Sequence, residues 1–195
     1  MIARVGRFAA TCGVALAMTA DPASAHPMGV DGASLLDGFV HPFLGWDHAL
    51  AMIAVGLWAA QGGGRARWTL PASFLVAMVV GAALAMAGIA LPRVESAIAL
   101  SVLALGIAIA SAARPAPWVG MALVGLFASF HGHAHGSEMP DGLAPAFYGA
   151  GFVIATAGLH GIGIAAVAVG GRVTPILARL TGAGIALAGA LLMAG

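Results

Sequence analysis

Six apolar stretches of about 20 residues follow one another along the chain, and each can cross a hydrocarbon core of about 30 Å as a helix. They run over Gly38–Ala60, Trp68–Ala90, Glu95–Ala113, Pro117–His135, Leu143–Val169 and Thr174–Ala194. Short breakers separate them: Gly62-Gly63-Gly64, Leu91-Pro92, Arg114-Pro115, Met139-Pro140-Asp141-Gly142 and Gly170-Gly171. Little polar surface remains to cover a water-soluble core, since 61% of the 195 residues are hydrophobic and 8% charged, with a mean hydropathy of +1.01. The expected fold is therefore all-α and integral to a membrane, a six-transmembrane-helix bundle. Connections this short favour one compact domain in which sequential helices are antiparallel neighbours. Lysine is absent and the net charge is +1, so no nucleic-acid partner is expected.

Residues 1–25 have the grammar of a cleaved signal peptide, leaving 26–195 as the transmembrane domain. Arg4 and Arg7 precede a short apolar run, Phe8 to Thr19, which Asp21-Pro22 breaks before an Ala23-Ser24-Ala25 cleavage site. Cleavage would make His26 the N-terminus and remove Cys12, the one cysteine. A disulfide, a thiolate metal site and cysteine catalysis are then all excluded. With the mature N-terminus outside, Arg65, Arg67, Arg114 and Arg172 fall in cytoplasmic loops, and Arg179 lies within the last helix. Arg93 falls outside beside Glu95, and Asp31, Asp37, Glu138 and Asp141 gather there too. Both signals predict a multi-pass protein of the bacterial inner membrane with a periplasmic N-terminus.

There are 29 glycines, many at small-x-x-x-small spacing, as at Gly81/Ala85, Gly158/Ile162 flanked by Gly161, and Gly182/Ala186. Close helix packing accounts for nearly all of them. Gly132 stands between two histidines and Gly136 follows a third, and both are expected also to loosen the helix there.

Seven histidines are present, and ionisable groups at membrane depth are costly enough to be functional candidates. If the first helix enters near Gly38, Asp47 and His48 lie about 14 Å deep, near the midplane, and Pro42 falls at a first-turn position that tolerates it. His41 and His48 then share a face two turns apart, with Asp47 about 100° from His48. One ion could pass between the two histidines more easily than bind both, and the Met52 thioether lies one turn below His48. The fourth stretch ends in Phe130-His131-Gly132-His133-Ala134-His135-Gly136-Ser137-Glu138. As helix, it places His131, His135 and Glu138 on one face at i, i+4 and i+7, a metal-chelating pattern, while His133 points away. His160, deep in the fifth stretch, suits a ligand or a packing hydrogen bonder equally.

Imidazole and carboxylate suit Ni²⁺ and Co²⁺, and equally Zn²⁺ and Cu²⁺. The expected path is a relay. The His26/Asp31/Asp37 region and the His131/His135/Glu138 cap capture the ion, Asp47 and His48 hold it, and His160 lies farther along. The free amine and imidazole of His26 would add a chelating pair. No Walker A pattern exists, because Gly62-Gly63-Gly64 lacks its Lys and Ser/Thr, so the chain alone is no ATP-driven pump. An intramembrane metal-dependent hydrolase with Asp47 or Glu138 as base is an alternative, weakened by the lack of H-E-x-x-H. A metal chaperone or sensor without flux is another.

The sequence resembles the HupE/UreJ family of nickel/cobalt permeases over essentially the whole mature chain. The resemblance rests on the export signal, His26-Pro27, the H-P-x-x-G-x-D-H motif (His41, Pro42, Gly45, Asp47, His48) and the H-G-x-A-H-G-x-E motif (His131, Gly132, Ala134, His135, Gly136, Glu138). It implies a secondary permease, not an enzyme, supplying metallocentres such as hydrogenase, urease or cobalamin. It also implies that His41, Asp47 and His48 are essential, with His131 and Glu138 contributing; His133 fills an x position, and its role is open. The expected partners are the divalent metal as substrate and membrane lipid, with no prosthetic group; a homo-oligomer is compatible with this reading.

Overall fold

The computed structural model describes residues 35–139, 145–169 and 174–195, and these form seven α-helices. The helices are α1 (Leu35–Val40), α2 (Trp46–Gly62), α3 (Ala66–Met86), α4 (Val94–Ala110), α5 (Pro117–Ser137), α6 (Pro145–Val169) and α7 (Thr174–Ala194), with a 3₁₀ turn, His41–Phe43, between α1 and α2. The expected signal peptide, His26 and Asp31 lie outside the described residues.

By length and composition α3, α6 and α7 can each cross a membrane, and α1 with α2 makes a fourth candidate. Helix α4, at 17 residues, is shorter, and three histidines in its last two turns lower the hydropathy of α5. These apolar helices fit a multi-pass membrane protein.

The first expected span is not one continuous helix. It bends by 86° between Phe43 and Trp46. Pro42 has no N–H to continue an α-helix and sits in the 3₁₀ turn, and Gly45 is extended at φ −102°, ψ 109°. His41 and His48 therefore do not share a helix face, and Asp47 lies in the first turn of α2 rather than two turns into a longer helix. That position suits a carboxylate: Asp47 Oδ1 accepts the His48 backbone N–H at 2.8 Å, satisfying an otherwise free donor at the positive end of the helix.

The helices do not pack chiefly on their chain neighbours, contrary to the expectation from short loops. The most extensive contacts pair α3 with α5, α4 with α7, and α2 with α6. Small residues decide these pairs. A Cβ added at Gly81 would collide with the Ser129 carbonyl, and one at Gly132 with that of Met78. Gly56 and Gly163 are pressed against the backbones of His160 and Ile53, and Gly106 and Gly189 against Ala186 and Leu103. Without a hydrophobic drive between helices in lipid, backbone proximity of this kind selects partners. Gly158 and Gly161 play no such role, since a Cβ on either meets nothing within 4 Å. Gly132 and Gly136 seat α5 on α3, and α5 runs unbroken through both of them.

Helix α2 occupies the centre, buried from Ala51 to Ala60 apart from Ile53 and packed on α3, α4 and α6. At its far end the Trp58 indole donates to the Ala113 carbonyl at 2.8 Å, beside Arg65 and Arg114. Arg179 Nε donates to the Ala110 carbonyl at the same end, where a cation meets the C-terminus of α4. The histidines gather toward the opposite end.

Candidate metal path

Helix α5 runs antiparallel to α2, so its last two turns bring His131, His135 and Glu138 against the His41 turn and the start of α2. His41, His135 and Glu138 form the mouth. Each offers one ligand atom, and these atoms lie within 4.8 Å of one another. His41 Nε2 is 3.9 Å from Glu138 Oε2, and the His41 and His135 rings meet edge to face at 4.8 Å. The Glu138 side chain is 42% exposed and that of His41 19%, so the mouth opens to the surroundings. Burial raises the Glu138 pKa above the ordinary carboxylate value, aided by the charges of Glu95 and Asp47 and opposed by His48.

Inward, the His48 ring lies 4.4 Å from that of His135 and 4.9 Å from that of His131. His131, with Phe74 beyond it, is fully buried, and the Phe74 ring contacts both His131 at 5.8 Å and His160 at 5.0 Å. The seven described site residues expected from the sequence are thus brought into one file: Glu138, His41, His135, His48 with Asp47, His131 and His160. Only His26 lies outside the described residues.

Hydrogen bonds fix which nitrogen three of these rings present. The Asp47 carboxylate takes the His48 Nδ1–H at 2.7 Å, leaving His48 Nε2 as the lone-pair atom. The Ser101 hydroxyl donates to the Ile98 carbonyl at 2.6 Å, so its oxygen accepts from His131 Nε2–H at 2.9 Å and Nδ1 is left bare. His160 Nδ1–H donates to the Met52 carbonyl at 2.7 Å, leaving its Nε2 bare. All three bare nitrogens, and both nitrogens of His135, are buried with no hydrogen-bond partner among the described residues. Each buried unpaired polar atom costs about 1–3 kcal/mol. A row of orphaned lone pairs, three of them on tautomer-fixed rings, suits a ligand that supplies the missing partner, and a divalent transition metal does so. Asp47 acts here by orienting His48, with its bonded oxygen already committed to that residue.

His133 is separate from this file. Its Nε2 lies 2.9 Å from the Ile89 carbonyl and 3.2 Å from the Leu91 N–H; its tautomer decides which bond forms, and either ties α5 to the α3–α4 connection. Met52 meets His160 through its carbonyl. Sequence reasoning missed Ser101, Phe74 and Tyr148, whose ring meets that of His41 edge to face at 5.7 Å. Ser101 did leave a trace, as a lone hydroxyl amid the apolar run from Ala97 to Ala110. Gly45 makes room for the Asp47–His48 pair, because a Cβ there would press on His48 Nδ1 at 2.9 Å and Asp47 Oδ1 at 3.0 Å.

The family model described as HupE / UreJ protein matches residues 14–192. Protein HupE of Rhizobium leguminosarum bv. viciae is 45% identical over 183 residues, covering 92% of this chain and 95% of that protein. No solved structure matches the chain.

Proposed function

The chain belongs to the HupE / UreJ family, and on that premise we propose that it is a secondary permease importing Ni²⁺ or Co²⁺ across the bacterial inner membrane. Six spans follow a cleaved signal peptide, with the broken α1–α2 pair as the first, and the mature N-terminus is periplasmic. In this orientation Arg65, Arg67 and Arg114 are cytoplasmic, and the His41/His135/Glu138 mouth faces the periplasm.

The observation that carries the reading is the file of buried imidazoles whose free nitrogens have no hydrogen-bond partner among the described residues. Exposure falls inward from Glu138 through His41 to His131, as expected of a path entered from one side. A hydrated M²⁺ would exchange water for His41, His135 and Glu138 at the mouth, and then meet His48 and His131. Each imidazole is neutral when it binds metal, and the fixed tautomers of His48, His131 and His160 present a lone pair without a proton to displace. His26, if it becomes the N-terminus, would add a capture site upstream.

Reconstituted into proteoliposomes, the protein should accumulate Ni²⁺ and Co²⁺ above empty vesicles, and Asp47→Ala should reduce uptake to that background. Equal, background-level uptake by wild type and variant would refute the permease reading. Competition with Zn²⁺ and Cu²⁺ in the same assay identifies the preferred ion, which these ligand types alone do not select.

A further inference from the structure

Phe74 interrupts the histidine file. It is fully buried, and its ring contacts both His131 and His160, at centroid distances of 5.8 and 5.0 Å. The surroundings are apolar, with Met52, Met78, Val124 and Ala128 all buried in the same core. The Thr156 hydroxyl donates to the Met78 sulfur at 3.9 Å. The Gly81 and Gly132 contacts hold α3 tightly against α5, so the Phe74 backbone has little freedom to shift. Passage from His131 to His160 therefore requires the side chain itself to rotate.

Resting on the permease reading, we propose that Phe74 is the gate of the path, an aromatic plug that seals the outer histidine cluster from His160. In place, the ring denies water and ions an unbroken polar route and so prevents proton leak. Rotated aside, it presents its π face to the passing cation, which is attracted to the negative face of the ring. Met52 and Met78 are soft, adaptable side chains that can yield to this rotation. His160, with Nδ1 held by the Met52 carbonyl and Nε2 free, is the receiving ligand on the inner side.

The test separates binding from passage. Co²⁺ binding is measured by calorimetry on detergent-purified protein, and Co²⁺ influx and proton leak on proteoliposomes containing a pH dye. Phe74→Ala should bind Co²⁺ as wild type does, with several-fold faster influx and a proton leak that wild type lacks. Phe74→Trp should bind but pass Co²⁺ much more slowly. Phe74→Leu keeps most of the apolar bulk, serves if the alanine variant does not fold, and should leak less than it. Variants that bind like wild type and also move Co²⁺ and protons at wild-type rates would overturn the gate while leaving the permease intact. Absence of influx in wild type would instead overturn the permease reading, and the gate with it.

Discussion

Asp47→Asn isolates charge from shape in the Asp47–His48 pair. One carboxylate oxygen accepts both the His48 Nδ1–H at 2.7 Å and the His48 backbone N–H at 2.8 Å. An asparagine carbonyl can accept both bonds in the same place. Flipping the amide would set its NH₂ against the backbone N–H, so the oxygen stays and the His48 tautomer with it. What is lost is the charge assistance. Hydrogen bonds to charged groups contribute about 1.5–3 kcal/mol and neutral ones about 0.5–1.5, a difference of about 1–1.5 kcal/mol. The imidazole also becomes a weaker donor to metal, and losing such an outer-shell partner typically lowers affinity about 10–100-fold. Calorimetric titration of purified protein with Co²⁺ should therefore show Asp47→Asn weakened by that factor, and a melting curve should show stability lowered by about 1–1.5 kcal/mol. Asp47→Ala should be weaker still, because the His48 tautomer is no longer fixed. Asn binding Co²⁺ within about twofold of wild type, or more weakly than Ala, would refute this account of the pair.

Gly132→Ala should lower thermal stability by about 1–3 kcal/mol, because its Cβ meets the Met78 backbone, and metal binding should fall as α5 moves with His131 and His135. A melting curve and a Co²⁺ titration of the same sample check both effects. His133→Ala should cost about 1 kcal/mol through the lost tie to the α3–α4 connection yet leave Co²⁺ affinity unchanged, whereas His131→Ala should lose affinity. Metal binding should weaken on acidification as protons compete for imidazoles and Glu138. Because the Glu138 pKa is raised, its carboxylate contributes to binding above that raised value and is lost as pH falls through it. The apo fold responds in the opposite sense: it holds this proton where the unfolded chain has released it, so this group's effect on stability becomes less favourable as pH rises through the same window. Glu138→Gln should remove that part of the pH dependence from both titration and melting curves.

The candidate ligand face of α5 was legible in the sequence, because i, i+4 and i+7 lie together on any α-helix whatever surrounds it. His131, His135 and Glu138 needed only the helix period, and His133 was placed off that face by the same rule. The break in the first span had its cause in view at Pro42 and Gly45, but a proline is also tolerated in a first helical turn, so local rules alone did not choose between a start and a kink. With the bend in place, the inference of a shared face for His41 and His48 was lost, and Asp47 moved to a helix N-terminus.

The amino-acid sequence by itself determined the apolar helices, the unusual histidines and acids among them, and the spacing within each motif, since these are local properties of composition and period. Tertiary structure decided which helices touch, because that depends on where a missing side chain lets two backbones meet, as Gly132 does with Met78 and Gly56 with His160. It alone decided the chemistry of each ring. His131 takes its tautomer from Ser101 on α4 and His160 from the Met52 carbonyl on α2, partners 30 and 108 residues away that no periodicity within one helix could reveal.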